Sequence, residues 1–455
     1  MPSVFDRERI VAPPGYNRWL VPPAAICVHL CIGQAYAFSV FNLPMTKLIG
    51  VSKSAPDDWK LTDLGWIFSI AIFVLGASAA AFGRWVEDGG PRRAMFASAL
   101  CFGGGFLVAA LGVALHQLWV VYLGYGVIGG VGLGLGYISP VSTLMKWFPD
   151  RPGMATGLAI MGFGGGAMIA SPLSVWLMSV FSTPTDVGVA RTFIVLGVVY
   201  ACFMLVGSAI VRVPAPGWKP DGFSPATQAT RLVTTRDVYV YDALKTPQFW
   251  LIWWVLCLNV TAGIGVLGQA SAMAQEMFPG RVSAAAAGGF VGLLSLFNMG
   301  GRFLWASTSD HIGRKNTYFV FFALGVLLYA IAPYFGSVGN LPLFVLCFAV
   351  ILSMYGGGFA TVPAYLRDMF GTRYVGAIHG MLITAWSVAG VLGPVLVNYI
   401  RQFQIDSGVP KAQAYNVTMD IMAALLVAGF VCNAFIRAVD DRHHMATTDD
   451  AVGVA

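Results

Sequence analysis

A single arginine stands where arginine is costly. In the run Ala286–Asp310, AAGGFVGLLSLFNMGGRFLWASTSD, Arg302 is the only basic residue, and Asp310 at the very end is the only acidic one. A guanidinium is not deprotonated in proteins. At the centre of a bilayer helix it costs roughly 2.5–3.5 kcal/mol on insertion scales, so something must offset it. Ser295, Asn298 and Arg302 follow i, i+3, i+7 and share one helix face, while Leu293, Leu296, Phe297 and Leu304 lie on the other. A polar stripe ending in a cation should face a water-filled cavity or a bundle interior, and its simplest partner is an anion. The chemistry this permits is capture of a small carboxylate by charge-assisted hydrogen bonds. The competing reading is a structural arginine, pinned to backbone carbonyls or capping a nearby helix.

Other chemistry finds little support. No Asp or Glu lies deep in any apolar run. The seven cysteines (Cys27, Cys31, Cys101, Cys202, Cys257, Cys347 and Cys432) all fall in apolar runs, and none joins a Cys/His cluster of zinc-ligand spacing. They read as small buried hydrophobes. GGVGLGLG (Gly129–Gly136) and GFGGG (Gly162–Gly166) imitate a dinucleotide fingerprint but lack its strand–turn–helix context. Glycines at such spacing instead let membrane helices approach closely. No metal or cofactor is expected, and no paired carboxylates or serine/histidine pair points to an enzyme.

The elements that must position Arg302 are membrane helices. Of 455 residues, 57% are hydrophobic and only 11% charged, about half the charge of a soluble protein, and mean hydropathy is +0.73. A spanning helix needs about 20 mostly apolar residues. Runs of that length are expected near 19–44, 62–83, 94–115, 118–147, 154–181, 191–212, 248–275, 284–308, 317–336, 341–366, 375–400 and 415–437. The expected fold is therefore an all-α membrane protein of twelve helices. A cytoplasmic segment 1–18 precedes a six-helix half 19–212. A cytoplasmic loop 213–247 follows, then a second half 248–437 and a polar tail 438–455 expected to be disordered. No cleavable signal is read at the N-terminus.

With both termini inside, 19 Lys and Arg fall on inner segments and 7 on outer ones. The positive-inside rule then orients the chain in a cell (inner) membrane with both termini cytoplasmic. The net charge of +6 reflects this orientation rather than nucleic-acid binding. The expected partners are a small organic anion and the lipid bilayer, and the chain is expected to work as a monomer. The halves also repeat. An offset of 223 carries Glu87 to Asp310, Gly90 to Gly313, Pro140 to Pro363, Gly153 to Gly376 and Gly157 to Gly380. Duplicated six-helix halves are a known transporter architecture, with substrate near the bilayer midplane.

GRWVEDGGPRR (Gly83–Arg93) and ASTSDHIGRK (Ala306–Lys315) occupy matching inner loops, and both run acid, two residues, glycine, then basic residues. The pattern resembles the signature loop of the major facilitator superfamily and marks Glu87, Gly90, Arg92, Asp310, Gly313 and Arg314 as gating-loop candidates. FPDRPGMATGLAIMGFGGG, AYAFSVF, GGRFLW and TAWSVAGVLGP further resemble the oxalate/formate antiporter family, related to monocarboxylate transporters. The resemblance covers nearly all twelve spans. It implies that Arg302 binds the substrate carboxylate and that Tyr36, Tyr137, Tyr355 and Phe359 close the cavity.

Two departures refine the expectation. The family's oxalate carrier has a lysine in span eleven, where this chain reads Thr384-Ala385-Trp386-Ser387. That favours a substrate with one carboxylate over oxalate. Proton-coupled relatives carry an aspartate one turn before the arginine, where Asn298 stands here. His29 and His379 remain as titratable candidates for proton relay, although a lone histidine on an apolar helix more often only packs. The expected function is secondary transport of a monocarboxylate. An oxalate/formate-type exchanger and a membrane anion sensor are the alternatives.

Overall fold

The computed structural model describes residues 7–222, 233–234 and 236–445. Residues 1–6, the middle of the expected central loop and the tail beyond 445 lie outside the described residues. What is described is helical, with three isolated β-bridges. Among the described residues, eleven helices are long and apolar enough to cross a membrane, against twelve expected. The remaining long helix is the one bearing Arg302, Ala284–Ile312, of 29 residues. At 1.5 Å per residue it is roughly 43 Å long, ample for a bilayer. Ser295, Asn298 and Arg302 interrupt its apolar run.

The chain divides into two compact units, Met1–Trp147 with Leu158–Trp218, and Phe148–Gly157 with Lys219–Ala455. Phe148–Gly157 joins the second unit through its backbone. The Gly153 and Met154 amides donate to the Asp310 carboxylate, both at 2.8 Å. Thr156 donates to the Ala360 carbonyl at 2.6 Å, and Arg367 to that of Pro149 at 3.1 Å.

Helix starts follow local chemistry. Thr246, Ser283 and Asn340 accept amide hydrogens from Phe249, Ala286 and Leu343, as N-caps do. Pro22, Pro91 and Pro247 open their helices, where a missing N–H costs nothing. The repeat read from sequence is also a repeat of backbone shape. Gly90 turns the chain at φ 82°, ψ 163° and Gly313 at φ 84°, ψ 150°, a region that side-chain-bearing residues avoid.

Three spans depart from simple helix. The first runs as α-helix Pro22–Ile32, 3-10 helix Gly33–Phe41 and a short turn Asn42–Met45. The fourth opens with Leu118–Val121, widens to π-helix over Tyr122–Gly129, and continues as Gly130–Trp147. The eleventh, expected as one helix, breaks at Ile383 into Val375–Leu382 and Thr384–Asp406. The glycine runs do pack closely: a Cβ on Gly166 would sit 2.2 Å from the Leu30 carbonyl oxygen.

The tail expectation needs correction. Residues 438–445 are not loose: Val238 pairs with His444, and the Met445 amide donates to the Asp237 carbonyl at 2.8 Å. Arg236 pairs with Asp441. Residues 438–445 are largely polar, but their backbone has found partners. The first unit has a matching tie, where Val213 donates to the Ile10 carbonyl and Ala12 to that of Val213, each at 2.9 Å.

Candidate functional site

The helix Ala284–Ile312 presents its two faces as its sequence requires. Arg302 is 1% exposed and Asn298 is also buried, whereas Leu304, on the opposite face, is 64% exposed. Leu293, Leu296 and Phe297 are exposed on that outer side too, as lipid contact would have them. The polar face packs on the helix Leu341–Phe370. Gly356 makes the approach: a Cβ there would fall 2.5 Å from the Asn298 side-chain oxygen.

Five residues singled out from sequence come together here. Arg302 Nε donates to Asn298 Oδ1 at 3.2 Å, one turn back on the same helix. Its guanidinium carbon lies 5.6 Å from the centre of the Phe359 ring, within the range of a cation–π contact. Phe359 stands edge-on to Trp386, with ring centres 4.7 Å apart, and edge-on to Tyr355 at 5.4 Å. All five are buried. The break at Ile383 places Trp386 in the first turn of a new helix. There Thr384 Oγ1 accepts the indole hydrogen of Trp253 at 2.9 Å. The group thus offers a fixed cation, an amide and three aromatic faces. That set can hold one carboxylate and cover a small apolar remainder.

Tyr36, Tyr137 and His29 form a second group, inside the first unit. Phe163, which sequence reasoning passed over, joins them. Its ring lies 4.9 Å from that of Tyr36 and 5.9 Å from that of Tyr137, edge-on to both. His29 stacks on Tyr137 at 5.7 Å. Its two ring nitrogens face the carbonyls of Ala159 at 2.5 Å and Tyr137 at 3.2 Å. Those contacts tie three helices together, which fits a packing histidine. His379 is fully buried on Val375–Leu382, seven residues before Trp386.

The loop candidates divide by role. Glu87 pairs with Lys146 and accepts the Ser142 hydroxyl at 2.6 Å. A recess of about 550 Å³ opens beside it, lined by Val11, Gly90, Ser142, Lys146 and Val213 among others; Arg302 and its neighbours take no part in it. Asp310 takes the first amides of the helix Pro152–Phe181 and an Arg314 nitrogen at 2.5 Å. A carboxylate at a helix N-terminus is favoured by the unpaired amides and the dipole. Arg314 also reaches Asp368 at 3.1 Å. Arg92 does something the sequence did not suggest. It donates to the carbonyls of Ser208, Ala209 and Val211 at 3.3, 3.0 and 3.4 Å, at the end of the sixth span. Lys315, 223 residues later (315 − 92), does likewise at Ala434 and Ile436, at 2.9 and 2.7 Å. Both cations cap helix C-termini.

We expect Asp310→Ala to cost about 1.5–3 kcal/mol of stability, the usual worth of one hydrogen bond to a charged group. It should slow turnover more than it weakens binding, because Asp310 lies eight residues past Arg302, about 12 Å along the helix. Glu87→Gln should likewise spare binding. Thermal unfolding with and without carboxylate, set beside uptake rate, checks both; loss of the ligand-induced shift would show that these loops belong to the binding site.

One polar cluster had no local sequence signal. Glu276 accepts from Arg401 Nε at 3.0 Å and from the Tyr415 hydroxyl at 2.8 Å, with a second Arg401 nitrogen on its other oxygen. Burial opposes the Glu276 anion, but the Arg401 and Tyr415 hydrogen bonds outweigh it and hold the carboxyl below its ordinary range. Its partners lie 125 and 139 residues away, so no spacing rule could have joined them.

The chain is similar to known proteins over most of its length. The chain is 27% identical over 383 residues to the oxalate:formate antiporter of Oxalobacter formigenes, covering 83% of each. It is 27% identical over 443 residues to apicoplast pyruvate carrier 1 of Toxoplasma gondii, covering 78% of this chain and 79% of that one. The E. coli fucose:proton symporter shares its fold, with a TM-score of 0.66 at 13% identity, over 93% of this chain and 100% of that one. The family model of the Major Facilitator Superfamily matches residues 24–394. The long apolar helices, the two repeated loops and this match agree: the chain belongs to the Major Facilitator Superfamily and is a transporter rather than an enzyme.

Proposed function

We propose that the protein is a secondary carrier of small monocarboxylates in which Arg302 holds the carboxylate. The observation that carries this reading is the buried cation itself. Arg302 is sealed from water beside Asn298, Tyr355, Phe359 and Trp386. The acid nearest to it along its helix, Asp310, is engaged by the Gly153 and Met154 amides and by Arg314. An arriving carboxylate neutralises the guanidinium through charge-assisted, bidentate hydrogen bonds. Asn298 and Tyr355 then orient its polar remainder, and the aromatic faces cover the apolar part. Neutralisation lowers the barrier to closing a dry gate, as alternating access requires. Two relatives by sequence, the oxalate:formate antiporter and the pyruvate carrier, both carry small carboxylates.

The relation to an oxalate:formate antiporter supports exchange as the second reading. The Lys and Arg bias of 19 to 7 supports cytoplasmic termini. The test is a panel of mono- and dicarboxylates scored first for thermal stabilisation of the purified protein, since a ligand that binds only the folded state raises apparent stability. Uptake into proteoliposomes follows. Stabilisation without flux would make the protein a sensor, and no stabilisation by any acid would defeat the carboxylate reading.

A further inference from the structure

Two irregular stretches of helix meet inside the first unit. Gly33–Phe41 is nine residues of 3-10 helix, where runs beyond three or four are uncommon. Tyr122–Gly129 is eight residues of π-helix, a form frequent at functional sites. Tyr125, in the π stretch, donates its hydroxyl to the Gln34 side-chain oxygen at 3.0 Å. Its ring stands 4.2 Å from that of Phe38. Gln34 is 0% exposed, and its amide nitrogen has no hydrogen-bond partner among the described residues. A buried orphan donor is unfavourable, so this register is held against a cost at the residue that touches both stretches.

The register decides where Tyr36 points. A 3-10 helix has 3.0 residues per turn, so side chains three apart line up in columns. Phe38 and Phe41 share a column and pack on Phe193, at 6.3 and 4.8 Å. Gly33 and Tyr36 share another, which faces Phe163: a Gly33 Cβ would meet the Phe163 carbonyl oxygen at 2.2 Å, and the Tyr36 ring lies 4.9 Å from the Phe163 ring. Tyr36 is half-buried between the buried Ala35 and Ala37. In an α-helix each residue turns about 20° less, so Tyr36 would swing about 60° relative to Gly33 and leave Phe163.

We propose that Gln34 and Tyr125 are positioning residues: their hydrogen bond holds the first span in the 3-10 register that sets Tyr36 against Phe163, the orientation in which it serves the substrate. The proposal rests on Tyr36 contacting the carboxylate substrate. Neither positioning residue touches substrate itself.

The test is a double-mutant cycle read as KM and maximal rate of labelled pyruvate and labelled formate uptake in proteoliposomes. Tyr125→Phe and Gln34→Leu are measured alone, together, and over Tyr36→Phe. Removing both polar partners by the double change leaves no orphan group and so protects folding. Each variant should raise KM several-fold, up to roughly tenfold for one neutral hydrogen bond, with the maximal rate within about twofold. Over Tyr36→Phe the KM shift should vanish, because coupled residues are not additive. An equal KM shift in both backgrounds, or none in either, would overturn the proposal and leave a simple pin between helices. Wild-type protein that takes up neither acid fails at the carboxylate reading instead, and the proposal falls with it.

Discussion

Arg302→Ala should abolish carboxylate uptake while the protein still inserts and folds. Insertion is favoured by the change, which removes a residue costing roughly 2.5–3.5 kcal/mol at a helix centre. Binding loses its only cation in the group of Asn298, Tyr355, Phe359 and Trp386. One hydrogen bond to a charged group is worth about 1.5–3 kcal/mol, and every 1.4 kcal/mol is about tenfold in affinity. A bidentate pair therefore takes affinity below any useful range. Arg302→Lys should retain little. A lysine ammonium is a compact point charge, without the planar fork that matches a carboxylate and stacks over a ring such as Phe359. The measurements are uptake into proteoliposomes and carboxylate-induced thermal stabilisation, with membrane insertion as control. Near-normal uptake by the alanine variant would remove Arg302 from the site and restore the reading of a structural arginine.

The second large effect concerns charge count. With Arg302 as the fixed cation of the group, a monocarboxylate gives a neutral complex, whereas a dicarboxylate leaves one negative charge to bury. An unpaired buried ion costs several kcal/mol even after relaxation, which at about 1.4 kcal/mol per decade is at least a hundredfold in affinity. Acetate, lactate, pyruvate and formate should therefore compete better than oxalate or malonate at neutral pH. Trp386→Lys should shift preference toward the dianion. The geometry favours that position because Trp386 packs on Phe359, the ring beneath Arg302. Ala385→Lys is a second variant should the loss of the indole unfold the helix start. The assay is competition against a labelled transported acid at fixed salt. Wild-type preference for oxalate over every monocarboxylate would refute the one-charge argument, and His29 and His379 would then be the first groups to test for a second cation.

The site's main axis was legible because it depends on one helix. The spacing of Asn298 and Arg302 and the run of Leu293, Phe297 and Leu304 fix which face is polar, and burial follows that face. The resemblance supplied Tyr355 and Phe359, and the departure from it Trp386, all far from Arg302 in the chain. What escaped the sequence depends on backbone shape or on distant pairing. Hydropathy is the same for 3-10, α and π helix, so the first and fourth spans read as ordinary. The break at Ile383 carries no proline or glycine at the break itself. Arg92 sits in a loop motif, and only the fold reveals that it ends at the carbonyls of another helix. The tail looked free because its composition is polar, but backbone pairing of the Val238–His444 kind is indifferent to composition.

Those backbone ties have a consequence for the chain's topology. In the first unit the strand of chain before the first helix is fastened, through Ile10, Ala12 and Val213, to the strand after the last. In the second, Val238 and Asp237 fasten to His444 and Met445, by an antiparallel bridge where the first unit has a parallel one. Each unit therefore knots its own entrance to its own exit. A nick in the connection after Trp218 leaves both ties in place, because neither pairing spans that bond.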